Sequence, residues 1–240
     1  MISHVPVAER TPAVTLIADQ HVLADRVYSA MRRAILSLEL EPGTQLVERE
    51  FALKFGVSKS PVRDALQRLA GEGLVTQSPY RGMSVLSVDT DLADEIYALR
   101  EILEKAAVLI ATPRLTREDV AEARRYLAQS LEAISIDDRP AVAEHNREFH
   151  LVFSRTSGNR PLHEAISRLQ DRVRIVSLQG WRRHTSMSAE ANQHLAILEA
   201  AAAGQQDRAA RMMSAHIHSF RIAYRNAVLG RTSQAAARRS

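Results

Sequence analysis

Three histidines and an asparagine are the side chains of this sequence best suited to hold a cation. Asn146 and His150 are four positions apart, which places both on one face of a helix. His194 and His216 lie in two later stretches of helical periodicity. Neutral imidazole is the commonest protein ligand for first-row metals. Three of them with one oxygen donor, projecting into a helical core, would form an open site with positions left for water or a ligand carboxylate. Asn146 offers a neutral carbonyl oxygen, so it predicts weaker dication binding than an aspartate there. The chain has nine histidines, and spacing alone leaves ordinary core or surface histidines as the default. His145 points about 100° from Asn146 and His218 about 200° from His216, so both stay outside the set.

A second group has different chemistry. Leu46 to Leu69 reads as two short helices around Gly56, where a positive φ is cheap only for glycine. Phe51, Ala52 and Phe55 give the first helix its apolar face. The second starts with Ser58, Ser60 and Pro61 and buries Val62, Leu66 and Leu69. Lys59, Arg63 and Gln67 are left on its other side. A short helix, a glycine turn and a basic second helix form the helix-turn-helix layout, whose second helix enters the DNA major groove. Leu74–Gln77 and Met83–Leu86 follow as two short strands around a loop, Ser78–Gly82. Such a hairpin is a wing, and its tip, with Tyr80, Arg81 and Gly82, would reach phosphate or the minor groove.

Catalytic signatures are thin. The string around His150 is His145-Asn146-Arg147-Glu148-Phe149-His150, which is not H-E-x-x-H, and Glu148 faces away from His150. No phosphate-binding glycine loop and no nucleophile elbow occurs. Net charge is +4, which permits nucleic-acid binding without demanding it. Aromatic content of 5% argues against a base-stacking single-strand binder. The absence of cysteine excludes disulfides and thiolate metal sites and suits a cytoplasmic setting. No apolar run is long enough for a membrane helix.

The elements that must position these residues follow in order. Residues 1–20 read as a flexible arm, and His21–Leu38 as a helix. The winged helix-turn-helix occupies residues 21–87. From Asp91 the pattern is helical throughout. Starts fall at Asp89 or Thr90, Thr116, Asp138, Pro161, Ser186 or Ser188, and Asp207, and the last helix stops near Gly230. Short connections between long helices predict an antiparallel bundle over residues 88–230, with 231–240 a disordered tail. The expected fold is mainly α: a winged helix-turn-helix domain, then an all-α bundle of about six helices.

Two motif sets carry a family resemblance. Glu41-Pro42-Gly43-x-x-Leu46, then Gly56-Val57-Ser58-Lys59-Ser60-Pro61-Val62-Arg63-Asp64-Ala65-Leu66-x-x-Leu69-x-x-x-Gly73-Leu74-Val75, resembles the N-terminal domain of GntR-type bacterial transcription regulators. Lys59 stands where that family usually has Arg, keeping the charge but not the fork. Leu99-Arg100-x-x-Leu103-Glu104, Asn146-x-x-Phe149-His150 and the His194 to His216 stretch resemble the FCD effector domain of the FadR branch. The resemblance implies a homodimeric regulator, usually a repressor, that binds double-stranded, near-palindromic operator DNA. It implies DNA contacts from Arg49, Lys59, Arg63 and the wing near Gly82, with Ser58, Ser60 and Arg81 set on the phosphates. It also implies that Asn146, His150, His194 and His216 coordinate a divalent metal, often zinc or nickel, which helps hold a small carboxylate effector. Arg100 is the expected partner of that carboxylate, with a salt bridge as its ordinary alternative. Two other readings remain: a metal-dependent enzyme with a helical active site, and a regulator whose signal is the metal itself.

Overall fold

A computed structural model describes residues 13–79, 82–181 and 186–237. The chain divides into two compact units, Met1–Leu86 and Ser87–Ser240.

The first unit runs α1 (Ala13–Leu36), α2 (Glu48–Phe55), α3 (Lys59–Gly71), β1 (Val75–Ser78) and β2 (Gly82–Val85). Ala24, Val27, Met31 and Ile35 recur at helical spacing along α1 and are buried with Val62, Ala65, Leu66 and Leu69 of α3. Gly56 closes α2 in the left-handed conformation, at φ 66°, and its N–H bonds back to Ala52 and Leu53. Pro61 sits in the first turn of α3, where a missing N–H costs no helix bond. Ser58 occupies the N-cap position with extended backbone, yet its hydroxyl makes no cap bond. Arg68, exposed on α3, is engaged with α1. It pairs with Asp25 of α1 at 2.5 Å and lies 3.9 Å over the Tyr28 ring.

The hairpin is antiparallel, with Ser78 opposite Gly82 and Val75 opposite Val85. The segment before α2 adds a further edge that the sequence pattern did not signal. Gln45 bridges Ser84, and Leu46 N–H donates to the Met83 carbonyl at 2.8 Å. β2 is therefore bonded on both sides.

The second unit is α4 (Thr90–Ala111), a 3-10 turn at Thr112–Arg114, α5 (Arg117–Ser135), α6 (Arg139–Thr156), α7 (Arg160–Trp181), α8 (Met187–Ala202) and α9 (Gln206–Ala237). Asp89, Thr116, Asp138 and Ser186 each accept a backbone N–H at the start of a helix, and Thr116 with Asp119 forms a capping box. α4 packs against α6, α7 and α9. Its inner face carries Ala93, Ile96, Tyr97, Ala107, Val108 and Ala111, all buried. Tyr97 stacks on Phe220 of α9 and shares a 3.0 Å hydroxyl contact with Ser177 of α7. Among the described residues no helix is long and apolar enough to cross a membrane.

Two ends differ from the sequence expectation. α1 begins at Ala13, so residues 13–20 are helix rather than arm; no Gly or Pro interrupts Ala13–Gln20. α9 continues past Gly230 to Ala237, because one helical glycine costs only about 1 kcal/mol and the residues after it are Ala-rich.

Candidate functional site

The bundle brings His150 of α6, His194 of α8 and His216 of α9 to one point. Their Nε2 atoms meet at 3.1 Å (His150 to His194) and 2.9 Å (His194 to His216). All three rings are buried. The sequence separates them widely, and only the packing of three helices joins them.

Their outer nitrogens fix what the inner ones present. His150 Nδ1 lies 2.6 Å from Glu104 Oε2, so that nitrogen carries the proton. Arg100 Nη2 lies 2.8 Å from His150 Nε2, and a guanidinium only donates, so that Nε2 offers a lone pair. His216 Nδ1 donates to Gln193 Oε1 at 2.7 Å, which likewise leaves its Nε2 as an acceptor. His194 Nε2 lies between these two acceptors and can donate to only one of them. Buried lone pairs converging in this way suit a cation, so the three imidazoles could hold a metal ion.

The electrostatics agree with neutral rings. Burial pushes His150 below its ordinary pKa, and Glu104 only partly opposes it. Burial, reinforced by the neighbouring imidazoles and Arg100, pushes His194 and His216 well down. Burial alone would raise the Glu104 carboxyl, but Arg100 and His150 outweigh it and hold it at about 2. Glu104 thus stays ionised, bonded to Arg100 Nε at 2.8 Å and Gln170 Nε2 at 2.6 Å.

The residues around this point line a cavity of only about 10 Å³, room for a single water. Arg100 and Asn146 are both in its lining, with Glu190, Gln170, Trp181 and Arg174. Asn146 accepts from Ser130 Oγ at 3.1 Å. Arg100 is buried and ion-paired with Glu104 within α4, rather than in a surface or interhelical salt bridge. Glu190 accepts from the Trp181 indole at 2.7 Å, and burial pushes its carboxyl up to about 7. Glu148, the one imaginable base near His150 in sequence, is instead taken up by Arg147 and Arg155.

Sequence reasoning gave no site role to Glu104, Gln193, Gln170 or Glu190. Glu104 alone had a signal: it closes the Leu99-Arg100-x-x-Leu103-Glu104 motif, four positions after Arg100. The others are polar residues at helical positions that no spacing distinguishes.

In the first unit, Arg49, Ser58, Lys59, Ser60, Arg63 and Gly82 are all exposed. Lys59, Ser60 and Arg63 lie in the first two turns of α3. Arg63 is held by Glu48 of α2 through two bonds of 2.9 Å. Tyr80 and Arg81 lie outside the described residues.

Comparison with known proteins agrees with both halves. Residues 23–85 match the bacterial regulatory proteins of the gntR family, and residues 95–219, more than half of the chain, match the FCD domain. The Nta operon transcriptional regulator of Aminobacter aminovorans is 29% identical over 182 residues, covering 76% of this chain and 85% of that protein. The HTH-type transcriptional repressor RspR of Escherichia coli (strain K12) is 28% identical over 199 residues, covering 81% and 86%. The solved structure of E. coli McbR/YncC has a TM-score of 0.73 at 25% identity, covering 85% of this chain and 98% of that one. A winged DNA-binding domain, a helical domain with a buried histidine triad, and these matches lead to one assignment: the chain belongs to the GntR family of bacterial regulatory proteins, as a transcriptional regulator with an FCD domain.

Proposed function

We propose that this regulator is a cytoplasmic repressor that binds near-palindromic operator DNA as a homodimer and responds to a small organic acid bound at a metal site. The observation that carries the sensor half is the convergence of the three buried Nε2 atoms, with Arg100 beside them. His150, His194 and His216 would hold a divalent ion such as zinc or nickel, with the Asn146 carbonyl as the fourth donor. Such an ion accepts imidazole lone pairs and leaves positions for a carboxylate oxygen. Arg100 would take the rest of that carboxylate in its fork. On the DNA side, Arg63 would read a guanine edge, and Arg49 and Lys59 would read bases or clamp phosphates. Ser58, Ser60 and the wing tip Tyr80–Gly82 would position the backbone. An exposed apolar stripe on α4, Leu99, Ile102 and Leu109, supports association of two copies.

The effector must bind the DNA-competent and DNA-incompetent states with different affinity, or it switches nothing. Admitting it also requires the cavity to open, because about 10 Å³ holds no organic acid. The same tightness favours a second reading, in which the metal alone is the signal. Operator binding by the purified protein, followed by fluorescence anisotropy with metal, with chelator and with a panel of organic acids, tests both. Release by an acid only in the presence of metal supports the first; release by metal alone supports the second. Binding indifferent to all of them overturns both.

A further inference from the structure

We infer that Glu48 is a positioning residue for base reading: it grips one edge of the Arg63 guanidinium and leaves the other edge aimed outward. This rests on the reading of Arg63 as the base-contacting side chain, and adds a residue to it.

Glu48 opens α2, and Arg63 is in the second turn of α3. Arg63 Nε donates to Glu48 Oε1 and Nη2 donates to Oε2, both at 2.9 Å. Both bonds use the side edge of the guanidinium. Five N–H groups are present, so both Nη1 protons and the second Nη2 proton remain. One Nη1 proton and the remaining Nη2 proton project from the end edge as two parallel donors, the pattern that guanine O6 and N7 accept. Carboxylate and guanine therefore do not compete: one arginine can satisfy both on adjacent edges.

The pair is poorly placed to act as a staple for the fold. The two side chains are 56% and 31% exposed, and exposed ion pairs contribute little to stability. Its effect falls on order instead. A free arginine samples many rotamers and loses them on docking, whereas one held by a two-point grip arrives already oriented. Glu48 is itself anchored. It lies in the first turn of α2, where the helix dipole favours a carboxylate, and its bond to Arg63, aided by nearby Lys59, keeps its carboxyl below the usual range. A negative charge beside a phosphate-binding surface costs non-specific affinity. Keeping one there fits a residue that serves discrimination rather than overall affinity.

The test uses the full-length protein and an operator selected by it from randomised duplexes. Affinities of wild type, Glu48→Gln, Glu48→Ala, Arg63→Ala and Glu48→Ala/Arg63→Ala are measured on that operator, on a scrambled duplex, and on operators with single guanines replaced by 7-deazaguanine, which lacks N7. The expected result is a loss of about tenfold on the operator for Glu48→Ala, with unchanged or tighter binding to the scrambled duplex. That loss should vanish in the Arg63→Ala background and on the one deazaguanine duplex that weakens wild type. Glu48→Gln, which keeps shape but not charge, should fall between. Unaltered or tighter operator binding by Glu48→Ala makes the carboxylate idle or a competitor and overturns the inference. So does a loss that persists in full without Arg63, since Glu48 then acts elsewhere. Failure of the underlying reading looks different: Arg63→Ala binds the operator as tightly as wild type, and both ideas fall together.

Discussion

Arg100 and His150 are joined at 2.8 Å through Nη2 and Nε2, the nitrogen through which His150 would hold a cation. The guanidinium thus stands where a metal's claim on that lone pair would be made. Arg100→Met should remove this competition and raise metal affinity several-fold in a chelator-competition titration, while abolishing any response to organic acids. It should also lower the melting temperature, because Glu104 loses a buried partner, at a cost of about 3–5 kcal/mol. Weaker metal binding by the variant would mean that Arg100 supports the site instead.

His194 is central to the triad, within 3.1 Å of both other rings. Elemental analysis of protein from metal-supplemented growth should find close to one ion per chain, and His194→Ala should lose it. Metal at about 100 times its dissociation constant should stabilise wild type by about 2.7 kcal/mol, or about 5–10 °C in melting temperature. His194→Ala should show no such rise. A wild-type protein that neither retains metal nor melts higher with it would end the metal proposal.

Gln193 touches no ligand position, yet it receives the His216 Nδ1 proton at 2.7 Å. Gln193→Leu removes the acceptor that fixes the His216 tautomer. Metal affinity should fall about 10- to 100-fold with the fold intact by circular dichroism. Unchanged affinity would show that packing alone orients the ring.

Glu190 carries a pH signature. Burial raises its pKa from 4.5 to about 7, so the folded chain binds this proton more tightly than the unfolded one. Its contribution is fully present below pH 4.5 and is lost as pH rises to about 7. The loss should stay under about 3 kcal/mol, since the side chain keeps some solvent contact. Denaturant midpoints across this window should fall with rising pH in wild type more than in Glu190→Gln. Parallel curves would show that Glu190 ionises normally.

The architecture is legible in the sequence where short-range physics decides it. Thr116, Asp138 and Ser186 announce their helices because a cap is settled by one side chain and a nearby amide. Gly56 and Pro61 mark the turn and the start of α3 for the same reason. The site is less legible. Periodicity and ligand chemistry single out His150, His194 and His216 as candidates, but spacing alone leaves ordinary histidines as the default, and only the packing of α6, α8 and α9 brings the rings together. Gln193 and Glu190 gave no signal, since their roles depend on where a neighbouring helix sets a ring. The Glu48–Arg63 grip spans 15 residues and two helices, a spacing no helical rule anticipates.

The bonding of β2 on both sides has a consequence for how this domain can change over evolution. Gln45 opposite Ser84 on one flank, and Thr76 opposite Ser84 on the other, hold β2 in register. A one-residue slip would break both flanks at once. Leu46 adds to the first flank by donating its N–H to the Met83 carbonyl. An insertion or deletion within β2 would cost pairing on both flanks, which ties any change in the strand to a matching change in the segment that leads into α2.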